Sequence, residues 1–163
     1  MLHDAMSLAD DGPVAIRYPR GAARQVGEHE VGVGLLAREM RVGTGGICIL
    51  AIGKTVAAAE KATETLAASG VSVSLWDVRS CAPLDPAMIA AAATHDTVVT
   101  VEDGIRDGGI GMTIADQIHT IHPQLRVEVL GIPTRFIPQG KPDRIHALLG
   151  LDADGIVATV RGL

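Results

Sequence analysis

The sequence predicts an α/β fold, a three-layer sandwich with a five-stranded, mostly parallel sheet, and three observations carry that expectation. Apolar runs bounded by turn residues alternate along the chain with amphipathic stretches, which is the rhythm of a sheet layered with helices. Two of those runs, 46–52 and 97–101, are almost continuously apolar, as strands covered on both faces are. Aromatic residues make up only 2% of a chain that is 47% hydrophobic. The core therefore has to be built from Ala, Val, Ile, Leu and Met, which suits buried strands beneath Ala-rich helices.

Each element follows from local signals. Residues 1–9 show helical spacing (Leu2, Ala5, Met6, Ala9) until Asp10, Asp11, Gly12 and Pro13 break it ahead of an extended run at 14–18. Residues 1–20 read as the tail of a preceding domain. Residues 21–30 are polar and aperiodic and read as a linker, so a domain is expected over 31–163. Its strand candidates are 31–36, 46–52, 71–78, 97–102 and 126–130. Gly43, Gly45 and Gly46 suggest a hairpin-like turn between the first two. Residues 55–69 place Val56, Ala59, Thr63, Leu66 and Ala67 on one helical face, with Gly70 positioned to end it. Asp85 followed by Pro86 is an N-cap with proline at the first helical position, opening a helix toward His95. Residues 111–122 form a further helix stopped by Pro123. Two short helices close the chain, one over 142–149 ended by Gly150 and one from an N-cap at Asp152 into Val160.

Composition excludes several function classes. The 163 residues carry a net charge of −5 without any block of Lys or Arg, so nothing offers a surface to a nucleic acid backbone. No charge-free run approaches the roughly 20 residues of a membrane span. The first ten residues carry acids where a signal peptide carries bases, and a cytoplasmic location without membrane contact is expected. Cys48 and Cys81 lie far apart in apolar runs, without the paired spacing of a zinc or redox site, and both read as buried thiols.

The motifs that invite a chemical reading are weak. Glu102 is followed by Gly104, Gly108, Gly109 and Gly111 and then a helix, but the Gly-x-Gly-x-x-Gly spacing of a dinucleotide turn is absent. Gly109 and Gly111 read instead as points of close backbone approach. Glu102, Asp103 and Asp107 stand where ligands bind in parallel sheets, yet consecutive strand residues point to opposite faces, and a structural or interface role is the better reading. His119 and His122 share a helix face without further ligands nearby. No Ser or Cys occupies a glycine-flanked elbow. Arg17 and Arg20, stiffened by Pro19 and followed by Gly21, form a fork suited to a phosphate or carboxylate, or simply a pair of surface arginines.

One resemblance covers essentially the whole chain. The run GPVAIRYPRG at 12–21 resembles the end of the pyrimidine-binding domain in the 1-deoxy-D-xylulose 5-phosphate synthase family. WDVRSCAPLD at 76–85, VVTVEDG at 98–104, GGIG at 108–111, GIPTRFIPQG at 131–140 and LGLDADGI at 149–156 are similar, in order, to the carboxy-terminal domain of that family, which is of transketolase type. The last two motifs are the specific ones. The shorter runs also occur across transketolases and the β subunits of 2-oxoacid dehydrogenases. Cys81 and the charged run 105–107 depart from the family pattern. The resemblance implies a transketolase carboxy-terminal-domain-like sheet and a transferase that condenses pyruvate with glyceraldehyde 3-phosphate, losing carbon dioxide. It implies thiamine diphosphate and Mg²⁺ bound by domains outside this chain, and a homodimer in the complete enzyme. Alternatively, the chain is a stand-alone module that completes a thiamine enzyme in trans with a separate subunit, or the equivalent domain of a 2-oxoacid dehydrogenase β subunit. It assigns no catalytic, cofactor-binding or metal-binding residue here. Arg20 matches the arginine that takes the aldehyde's phosphate, and Arg17 is a second candidate.

Overall fold

A computed structural model describes residues 2–8, 12–18, 25–28 and 31–163. The strands are β1 (Arg38–Arg41), β2 (Ile47–Ile52), β3 (Val73–Asp77), β4 (Thr97–Ile105) and β5 (Arg126–Ile132), forming one sheet in the order β1-β3-β2-β4-β5. β2, β3, β4 and β5 pair in parallel, and β1 lies antiparallel to β3 at the edge. The helices are α1 (Leu2–Leu8), α2 (Val56–Ala68), α3 (Pro86–Ala92), α4 (Ile110–Ile121), α5 (Pro142–Leu149) and α6 (Ala153–Arg161).

Strand alternation divides the core in two. On one face Ile49, Ala51, Val73, Leu75, Val99 and Val101 pack beneath Val56, Ala59 and Leu66 of α2 and Ile156, Val157 and Val160 of α6. On the other, Cys48, Leu50 and Val98 meet Met88 and Ile89 of α3 and Ile114 and Ile118 of α4. Each fully buried Leu or Ile in these layers contributes about 1.5 to 3 kcal/mol. This is the three-layer arrangement the apolar runs call for, with β2 fully covered at its four central residues.

The helix ends follow their sequence signals. Asp85 accepts a hydrogen bond from Ala87 N–H, with Pro86 at the first position of α3. Asp152 likewise caps α6 through Gly155 N–H. Gly150 ends α5 at a φ of 70°, a left-handed conformation that glycine adopts without steric cost.

Two expectations fail at the amino-terminal side of the sheet. The apolar run 31–36 is no strand: a turn at Gly34, with φ of 54°, closes it through a Leu36 N–H to Val33 O bond. The ladder forms instead on the charged Arg38–Arg41, which an edge strand tolerates because one of its sides faces water. The turn at 43–46 is no hairpin either, because β3 lies between β1 and β2. Its glycines have another cause: a Cβ on Gly43 or Gly45 would collide with the backbone of Val73 or Ser72.

Candidate functional site at the carboxyl edge of the sheet

β2, β3, β4 and β5 all end at one edge, and in such sheets the ligand crevice opens where neighbouring strands send their connections to opposite faces. That point lies between β2, which leads to α2 on one face, and β4, which leads to α4 on the other.

The crevice is closed by the chain's own polar groups. After β2 the chain makes a single 3-10 turn, Gly53–Thr55. Buried Thr55 donates its hydroxyl proton across to Val101 O of β4 at 2.7 Å. From β4, the 5% exposed Glu102 turns its carboxylate onto the amino end of α4, where Oε1 accepts from Gly111 N–H at 2.8 Å. A carboxylate there satisfies an otherwise unpaired helix N–H and meets the positive end of the helix dipole. The surrounding glycines make room for it. A Cβ at Gly104 or Gly109 would press on the Glu102 carboxylate, and one at Gly111 would press on Thr100. The close approach expected at Gly109 and Gly111 is thus what the structure shows: Gly109 lies on the Ile105 carbonyl and the Glu102 carboxylate, and Gly111 on Thr100 and Val129.

The remaining acids are engaged further out. Asp107 accepts from Arg106 Nη1 at 3.1 Å and from Thr134 Oγ1 at 3.0 Å on the exposed rim. Asp103 is half-buried. His119 contacts Leu125 O at 3.0 Å through Nε2, and His122 stands at the carboxyl cap of α4. Among the described residues no group of three or more His, Cys, Asp or Glu side chains could hold a metal ion. The amino end of α4 does not fit a diphosphate such as that of thiamine diphosphate, because the buried Glu102 carboxylate already occupies it. A diphosphate at α4, the helix that a glycine-rich turn introduces, would meet the Glu102 carboxylate.

After β3 the edge is built differently. Asp77 accepts from Arg79 N–H at 3.2 Å, Ser80 Oγ donates to Pro83 O at 2.7 Å, and Val78 N–H donates to Ala51 O at 3.0 Å. These bonds stiffen the turn that leads to Asp85. Cys81 lies in it half-buried, which corrects the expectation of a buried strand thiol. Burial pushes that thiol up, Glu102 adds to the effect and Arg17 opposes it. Cys48 is the buried one, and burial, with a smaller contribution from Glu39, pushes its thiol up to about 12.

Arg17 is exposed in the stretch 12–18, which forms no strand, and Arg20 lies outside the described residues. Thr55, Arg79 and Asp85 carry the edge without a motif that marks them in the sequence, apart from the helix cap expected at Asp85. No helix among the described residues is long and apolar enough to cross a membrane.

Comparison with known proteins agrees with this architecture. Residues 39–156 match the family described as transketolase, C-terminal domain. The chain is 40% identical to a 1-deoxy-D-xylulose-5-phosphate synthase of Anaeromyxobacter sp. (strain Fw109-5), an alignment covering 100% of this chain and 27% of that protein. It is 36% identical to the synthase of Magnetococcus marinus, over 100% of this chain and 26% of that one. The chain thus spans about a quarter of the length of these curated relatives, their carboxy-terminal portion. A solved structure described as a split gene transketolase, inactive beta4 tetramer, superposes with a TM-score of 0.78 at 23% identity, covering 88% of this chain and 47% of that one.

Proposed function

Because the chain belongs to the transketolase C-terminal domain family, we propose that it is the carboxy-terminal domain of a 1-deoxy-D-xylulose 5-phosphate synthase. The observation that carries this reading is 40% identity sustained over the whole chain to a synthase of that name. In the complete cytoplasmic enzyme, pyruvate and glyceraldehyde 3-phosphate condense with loss of carbon dioxide, a step that feeds non-mevalonate isoprenoid and thiamine synthesis. Thiamine diphosphate, held with Mg²⁺ by domains outside this chain, supplies the electron sink for that chemistry. The domain supports the homodimer and is inactive alone, in keeping with carboxyl-edge polar groups that are bonded inward. Arg20 takes the aldehyde's phosphate, with Arg17 as a second cation.

A second reading places the missing domains on a separate subunit, with this chain completing the enzyme in trans. It is favoured by the division of that other transketolase into split genes.

A chimera tests the first reading. Replacing the matching region of the Anaeromyxobacter synthase with this chain should give an enzyme that forms product from both substrates. The isolated chain should give no heat when titrated with thiamine diphosphate and Mg²⁺. Micromolar binding by the chain alone would sink the proposal.

A further inference from the structure

We propose that Arg106 guards the open edge of the sheet: its guanidinium holds the β5 carbonyl on which a second copy of this chain would pair. Removing that guanidinium turns β5 into a self-docking strand.

Topology leaves β5 open. The sheet runs β1-β3-β2-β4-β5, so β5 has a neighbouring strand on one side alone. Where β4 ends, Arg106 N–H donates to Ile132 O at 2.8 Å, so Ile132 faces β4. Backbone groups alternate in direction along a strand, and Leu130, Glu128 and Arg126 therefore face β4 as well. Val127, Val129 and Gly131 turn their N–H and C=O groups outward. Such a row is a template for another strand.

Arg106 closes the row at its middle. Its Nε donates to Val129 O at 3.1 Å. Nη1 is held by Asp107 Oδ1 at 3.1 Å, and Asp107 Oδ2 accepts from Thr134 Oγ1 at 3.0 Å. Gly131 gives the arginine its path, since a Cβ there would stand 3.0 Å from Arg106 Cα. That accounts for a glycine inside a strand.

The place of the contact names the partner. Two copies of the seven-residue β5, paired antiparallel over their full length, set Val129 opposite its own counterpart on the two-fold axis. Arg126 then meets Ile132, Val127 meets Gly131 and Glu128 meets Leu130, so no like charges are opposed. The central pair has to exchange its N–H to O bonds through Val129, and Arg106 occupies that oxygen. The charged run 105–107, a departure from the family pattern, supplies the guard.

Light scattering and hydrogen–deuterium exchange on the 163-residue chain test it. Arg106 is 49% exposed and belongs to neither core cluster, so its replacement leaves both cores intact. Arg106→Ala should self-associate about tenfold more tightly than the unaltered chain. Exchange at the amides of Val127, Val129 and Gly131 should slow as its concentration rises, while those of Glu128 and Leu130 stay unchanged. Arg106→Met keeps the stem over Gly131, loses the donors and should behave alike; it decides the matter if Arg106→Ala unfolds. Arg106→Lys, which retains a cation and a donor, should match the unaltered chain. Adding Val127→Pro to Arg106→Ala deletes an outward N–H and should abolish the added association. Association no tighter in Arg106→Met than in the unaltered chain overturns the guard. Tighter association without slowed exchange at 127, 129 and 131 places the contact elsewhere and overturns it too.

Discussion

The two halves of the carboxyl edge use similar polar groups in opposite ways. Between β2 and β4, Thr55 and Glu102 are buried and bond back into their own sheet and helix. Beyond β3, half-buried Arg79 and buried Asp85 bond to a segment that arrives from elsewhere in the chain. Burial sets the consequence. A buried bond, once broken, leaves an unpaired group without water and costs stability, whereas an exposed one is replaced by solvent and costs mainly geometry. The first half, together with buried Asp85, is consequently fold, and the solvent-exposed bonds of Arg79 are attachment.

The largest effect that would break this contrast is at Glu102. Glu102→Ala should lower unfolding stability by about 3 kcal/mol, because it removes a charged acceptor and strands Gly111 N–H. Urea denaturation should show a lower midpoint with an unchanged slope. A loss well under 1 kcal/mol would mean that the crevice is open to water after all. Thr55→Val keeps the shape and deletes the hydroxyl, and should cost about 1 kcal/mol in the same measurement. The thiols give the finest contrast. Cys48 in β2 should stay unmodified by a thiol reagent at neutral pH until the chain unfolds, while half-buried Cys81 reacts slowly in the native state. The Cys48 thiol is raised from 9.0 to about 12, so the folded chain holds that proton more tightly than the unfolded one. Its contribution to stability is complete below pH 9 and is lost as pH climbs toward about 12. Cys48→Ala should remove that part of the alkaline slope.

Much of the framework is legible in the sequence, for reasons that can be named. Central strands bury both faces and so must be continuous apolar runs, as 46–52 and 97–101 are. Asp85-Pro86 and Asp152 mark helix starts because a short acid side chain satisfies a free N–H there. β1 escapes this logic: an edge strand needs no apolar run, and the more hydrophobic residues 31–36 misdirect the eye. Arg79 leaves no signal, since a positive φ at a non-glycine residue is imposed by its tertiary partners. Glu102 left a partial one, an acid at a strand end followed by a run of glycines, but its partner could only be seen once the turn was folded. Arg17 and Arg20 stood out as a phosphate-suited fork, and only the resemblance named the phosphate they would meet.

The antiparallel setting of β1 also governs how the domain can be handled. Arg38 begins opposite Asp77 at the carboxyl edge, whereas Leu163 O meets Arg126 at the start of β5. The incoming and outgoing ends of the domain therefore lie a strand length apart, about 17 Å for five residues of β3. An affinity tag or fluorescent reporter joined after Leu163 would lie away from the carboxyl edge, and one spliced in ahead of residue 31 would sit beside it.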